Sequence, residues 1–295
     1  PNPGGGQFCG RKIAPSEAIT QFEKEQKDMK KLCITAAKAV GFFVGWAVLT
    51  GLLPLPETEN AAIWRFWAEL IPFLSAAGWT VLFWLPEKRK LRLHLIASPL
   101  KSTLIGLGAG FLWLGSTAAV LLLSGTMRFA GRNEIPMLWL WIVSVLINSA
   151  MQELLVRGYL YQMLRANYHT AAAAAATTAL FTFLHAGAFE AGLVPVLNVV
   201  TMSLLMTAVL EYTQSLLAPT LMHFIWNSIG SVILGGVALA EDYPHLYRTE
   251  FTGNVLLSGG APKMEGSLVV LIVNLLLIAV FGILLRKKTH EHPAI

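Results

Sequence analysis

Charge is what this sequence has least of. Only 13% of its 295 residues are Asp, Glu, Lys or Arg, while 55% are hydrophobic. A soluble domain usually carries about 25% charged residues, so a water-facing globule is excluded. Cysteine is almost absent. Cys9 and Cys33 are the two in the chain, too few for a disulfide framework or a cysteine metal motif. No repeat of fixed period is found, which removes solenoids and propellers. No soluble domain stands apart from the apolar runs. The chain starts at Pro1 rather than Met, and no cleavable signal peptide is read at this start.

What is present is a series of long apolar runs. Because roughly 20 apolar residues cross a bilayer, the hydropathy predicts about eight spans, at 33–53, 66–85, 103–125, 137–164, 170–189, 193–214, 219–240 and 267–285. The fold class is therefore all-α, a polytopic membrane helix bundle. Residues 1–32 are read as a cytoplasmic N-terminal segment, with a surface helix over Pro15 to Leu32 that Ser16 would cap. Residues 33–288 form the bundle and 289–295 a cytoplasmic tail. The run Ala171 to Ala176 suits close helix approach.

The net charge of +5 is explained by topology. With the N-terminus inside, Arg11, Lys12, Lys24, Lys27, Lys30, Lys31, Lys88, Arg89, Lys90, Arg92, Lys101, Arg165, Arg286, Lys287 and Lys288 all fall on the inner side. The outer loops hold Arg65, Arg128, Arg132, Arg248 and Lys263. This bias predicts a multi-pass protein with both termini cytoplasmic, as in a bacterial inner membrane. The basic charge then orients the chain and touches anionic lipid, and nucleic-acid binding is not expected. The outer stretch 241–265 reads as a plain connector, with a lid or substrate-facing loop as the alternative.

Against this apolar background the stretch Asn148 to Leu160 stands out, for it carries Gln152, Glu153 and Arg157. Ionisable residues inside a span are costly unless paired and point to a functional site. Glu153 and Arg157 are spaced i, i+4 and can pair on one helix face. A structural ion pair would account for both. Gln152 lies about 100° around the helix from Glu153. His185 follows Phe181 at i, i+4 on a later helix, where an interhelical hydrogen bond is the plain alternative. His223 and Asn227, again i, i+4, offer two donors to one point, as in an oxyanion site or a water-positioning pair. Asn148 precedes Gln152 by one turn and is expected to make a helix–helix hydrogen bond.

These elements resemble the CAAX protease and bacteriocin-processing family of intramembrane proteases. That family's first motif is Glu-Glu-x-x-x-Arg, usually followed by Gly, and here it reads Gln152-Glu153-Leu154-Leu155-Val156-Arg157-Gly158. The second, Phe-x-x-x-His, is Phe181 to His185. The third, His-x-x-x-Asn, is His223 to Asn227, approached through Tyr212 to Pro219. The resemblance covers about 137–230. It implies a hydrolase of glutamic type acting on membrane-anchored or membrane-delivered peptide or protein substrates. The first Glu and the motif-two His would activate water, and the motif-three His and Asn would stabilise the oxyanion. No cofactor is expected. Zinc is the alternative, since two His and a carboxylate make a legitimate set, but no His-Glu-x-x-His occurs.

The departure lies at Gln152, where the family has its first Glu. A neutral amide cannot act as a general base. The sequence as written is thus expected to be inactive or impaired. The residue could be an engineered replacement, or the chain a natural non-catalytic scaffold, immunity or regulatory protein of the same fold. In a third reading Glu153 takes over the base role through helix rotation or a local π-bulge, which conflicts with its pairing to Arg157.

Overall fold

The computed structural model describes residues 15–238 and 243–291, with side chains from 21 onward. Arg11, Lys12, Cys9 and His292 lie outside the described residues. By contacts the chain divides into residues 1–41 and 42–295. Helix α1 (Pro15–Leu52) runs through both, so the surface helix and the first span expected separately are one continuous helix. Residues 21–34 of this helix are exposed, apolar Phe22 and Met29 included, and Gln21 donates to Glu25.

In the second unit the chain forms α2 (Ala61–Trp84), α3 (Pro99–Leu123), β1 (Met127–Arg132), α4 (Leu138–Glu153), a π-helical segment (Leu154–Leu160), α5 (Tyr161–Asn167), α6 (Thr170–Leu184), α7 (Gly187–Ala191), α8 (Leu193–Thr213), α9 (Leu217–Asn227), a second π segment (Ser228–Ile233), β2 (Tyr247–Phe251), α10 (Val255–Ser258), a 3₁₀ turn (Lys263–Gly266) and α11 (Leu268–Glu291). Six helical stretches of the described residues are long and apolar enough to cross a membrane: Gln21–Leu52, Ala61–Trp84, Pro99–Leu123, Leu138–Asn167, Leu193–Thr213 and Leu268–Glu291. The fold is a polytopic helix bundle, as the hydropathy predicts, with two corrections. The expected fifth span is the shorter helix Thr170–Leu184, which stops at His185 and turns into α7. The expected seventh is α9 continued by a π turn to Ile233. Both carry motif residues at or beside the point where regular helix ends.

Packing explains why α9 is held so closely. A Cβ at Gly106 would lie 2.5 Å from the Ala218 carbonyl, and one at Gly110 would lie 2.9 Å from Ile225 Cβ. Glycine thus lets the backbones of α3 and α9 meet, the small-residue solution used where lipid supplies no hydrophobic drive between helices. Trp113 and Trp226 stack across the same seam with centroids 4.0 Å apart. Trp113 Nε1 donates to Asn274 Oδ1 on α11 at 2.7 Å, so its one donor is satisfied in the core. Residues His94 and Leu95 accept from the amides of Leu216 and Leu217 at the start of α9.

The stretch 241–265 is more than a connector. β2 pairs antiparallel with β1, with Met127 opposite Phe251, Arg132 opposite Tyr247 and an irregularity between Phe129 and Gly131. Leu246 N–H reaches the Val232 carbonyl and Lys263 Nζ the Gly235 carbonyl. Asn198 on α8 donates to the carbonyls of Glu265 and Ser267. Residues 243–267 are therefore tied to the first turns of α8 and to the second π segment that follows α9.

Candidate functional site

Glu153 ends α4 and is fully buried, as are Arg157 and, at 1% exposure, His223. Arg157 Nη1 lies 3.0 Å from both Glu153 carboxylate oxygens. Its Nη2 donates to the Ser203 carbonyl at 2.9 Å and to Ser203 Oγ at 2.7 Å, and its Nε to Thr207 Oγ1 at 3.3 Å. The guanidinium also sits 5.0 Å from the Phe181 ring centroid, within cation–π range. Every face of the buried cation is thus occupied, which is the condition for keeping it in an apolar interior. Phe181 is the platform that joins motif one to motif two. Its ring also contacts His185, at 4.3 Å between centroids, and His223, at 6.1 Å.

The π turn begins at Leu154, directly after Glu153. Such a turn leaves a carbonyl without its usual i+4 donor. Here the Arg157 carbonyl accepts instead from Gln162 Nε2, five residues on, at 3.1 Å. The local π-bulge weighed from the sequence therefore exists. Glu153 nonetheless keeps Arg157 as partner and adds His223, whose Nδ1 lies 3.0 Å from Glu153 Oε1. A carboxylate on Nδ1 leaves Nε2 as the free ring nitrogen. His185 is oriented differently. Its Nδ1 lies 2.8 Å from the Phe181 carbonyl. Since a carbonyl only accepts, Nδ1 carries the proton and Nε2 the lone pair.

Gln152, His185, His223 and Asn227 all line one cavity of about 850 Å³. Asn227 Nδ2 approaches Ser149 Oγ at 3.5 Å. Glu153 and Arg157 lie behind this surface, not on it. The structure therefore brings all six sequence-selected residues together, four on the cavity wall and two as the buried support of His223. No group of three or more His, Cys, Asp or Glu side chains placed to hold a metal occurs among the described residues.

Four cavity residues were not singled out from the sequence. Arg65 and Glu69 on α2 form an i, i+4 ion pair at 3.0 Å, a spacing identical to that of Glu153 and Arg157 and readable by the same rule. Tyr243 donates its phenol to Glu69 Oε1 at 3.1 Å, and burial with the nearby Glu69 raises its pKa above the usual phenol value. Glu265 accepts from the Ala238 amide at 3.1 Å, and burial pushes its carboxyl up to about 7. Tyr243 and Glu265 bring the 243–265 stretch into the cavity wall, which corrects the connector reading. Asn148 makes the expected interhelical bond, donating to Glu69 Oε2 at 2.8 Å.

Fold and cavity together define the class: a membrane-spanning helix bundle enclosing a polar centre of amide and imidazole groups. Residues 134–229 match the family model described as type II CAAX prenyl endopeptidase Rce1-like, consistent with the CAAX protease and bacteriocin-processing family. The matched span contains all three motifs. Comparison with curated proteins and with solved structures finds no match.

Proposed function

We propose that the chain is an intramembrane endopeptidase of glutamic-type architecture, metal-free, whose water-activating step is impaired by Gln152. Membrane-anchored or membrane-delivered peptides are its substrate class, prenylated CAAX-type proteins among them, with both termini on the cytoplasmic side of a bacterial inner membrane. The observation that supports this best is the single cavity shared by Gln152, His185, His223 and Asn227.

The hydrogen bonds support a role for each residue. His185 Nε2 is the lone-pair nitrogen available to a water proton. Asn227 Nδ2 is a donor for the developing oxyanion, and His223 Nε2 joins it in the doubly protonated ring, where both nitrogens donate; such donors contribute most when prepositioned. Glu153 and Arg157 fix the His223 ring. Because Glu153 is already shared between Arg157 and His223, it serves here as orienter, and a carboxylate base would have to come from position 152. The metal-free reading draws support from that same sharing, since Glu153 and His223 satisfy each other.

The test is Gln152→Glu in reconstituted vesicles with a panel of membrane-anchored peptides. Cleavage should rise above that of the parent, and adding His185→Ala should abolish it. Equal cleavage by parent and Gln152→Glu would remove position 152 from the base role. A second reading, a non-catalytic scaffold or regulator, is favoured by the neutral amide being bonded into the wall. It predicts partner capture unchanged by Gln152→Glu.

A further inference from the structure

Gln152 is oriented by a carboxylate that no motif contains. Glu69 on α2 holds Arg65 and Tyr243 on Oε1, and Oε2 accepts from Asn148 Nδ2 at 2.8 Å. Asn148 Oδ1 in turn accepts from Gln152 Nε2 at 2.8 Å. At the end of this chain Gln152 Oε1 is buried without a hydrogen-bond partner, and Gln152 lines the cavity.

The polarity of the chain is dictated from one end. An ionised carboxylate has acceptors only, so Asn148 must turn its NH₂ toward Glu69. Its carbonyl then faces residue 152, which must answer with a donor. Gln152 complies with its NH₂, and the carbonyl oxygen is left over. We infer that Glu69 is a positioning residue for this centre, acting through Asn148 to turn the side chain at position 152 so that its NH₂ faces Asn148 and its carbonyl oxygen is left without a partner. The inference rests on the proposed reading of the cavity as a proteolytic centre.

A consequence separates this from a simple loss of the base. With Gln152→Glu, two carboxyl groups flank one amide whose NH₂ is on Glu69 and whose carbonyl faces position 152. A carboxyl at 152 that keeps the bond to the Asn148 carbonyl does so as a protonated donor. Among the described residues, Arg65 and Tyr243 are the charged and titratable groups bonded to Glu69, from its own helix and from the outer stretch, while His185, His223, Glu190 and Glu265 share the cavity with position 152. Arg65 and Tyr243 both donate to Glu69 Oε1, so Glu69 is the accepting end of the chain and the new carboxyl at 152 its donating end. Glu69 therefore suppresses a base at 152.

The experiment compares Gln152→Glu, Gln152→Glu/Glu69→Gln and Gln152→Glu/Glu69→Asp, each as the full chain in lipid nanodiscs. Infrared spectroscopy follows the protonated carboxylic-acid C=O band against pH, and peptide cleavage is followed across the same range. The single variant should show an acid band persisting to higher pH than the Glu69→Gln double variant. Its cleavage should show a matching alkaline shift of at least one pH unit, about ten-fold in the ionised fraction on the acid side. The Glu69→Asp double variant, which keeps the charge, should retain the band. Identical titration of the band in all three would overturn the inference. Since the infrared readout needs no turnover, absence of cleavage in every variant would count against the endopeptidase reading alone.

Discussion

His223 Nδ1 lies 3.0 Å from Glu153 Oε1, and the same carboxylate is gripped by Arg157 one helical turn away. One buried carboxylate thus joins α4, α9 and, through Arg157, the Ser203 and Thr207 side of α8. The link makes structural demands that can be measured apart from any catalysis.

Glu153→Ala should be strongly destabilising. It strands the fully buried Arg157 without a counter-charge, a change that costs about 3–5 kcal/mol in comparable buried pairs. Thermal unfolding in detergent should show a large drop for Glu153→Ala. Glu153→Gln, which keeps the hydrogen-bond acceptor, should lose less. Equal stability of Glu153→Ala and the parent would contradict the pairing.

Helix α9 depends on glycine for its distance from α3. Gly106→Ala places a methyl 2.5 Å from the Ala218 carbonyl, so the helices must separate, and overpacking of this kind costs roughly 1–3 kcal/mol. Gly108, with nothing within 4 Å of its added Cβ, is the internal control. Gly108→Ala should be neutral or slightly stabilising, since alanine gains up to about 1 kcal/mol over glycine in a helix. Paired melting curves decide the matter.

Glu265 predicts a pH dependence. Burial raises its carboxyl from the usual 4.5 to about 7, so the native state binds this proton more tightly than the unfolded chain. Its contribution to stability is fully present below about pH 4.5 and is lost as pH rises through about 7. The parent should therefore lose thermal stability between pH 5 and pH 8 relative to Glu265→Gln. Parallel curves for the two proteins over that window would refute the shift.

The Asn227 and Ser149 contact, at 3.5 Å, is too long to hold the amide alone, so Asn227 is free to donate elsewhere. In the Gln152→Glu background, Asn227→Ala should lower kcat by about 10²–10³, the range for losing one oxyanion donor, with KM little changed. A loss confined to KM would make Asn227 a substrate-binding contact instead.

The sequence by itself determined the bundle, because a charge deficit and runs of about 20 apolar residues leave few alternatives to crossing a membrane. It also singled out the six candidate residues that the structure brings together, since a polar group in an apolar helix has a cost that makes it conspicuous. It over-extended the fifth and seventh spans, where hydropathy continues past the ends of regular helix at His185 and Asn227. Only the tertiary structure decided how Gln152, Glu153 and their partners divide their roles. Glu69 and Arg65 sit 79 and 83 residues from Asn148, and no local spacing connects them. The direction of each amide is set by what its neighbour can donate or accept. That is a property of three helices meeting, and it is why a carboxylate on α2 governs an amide on α4.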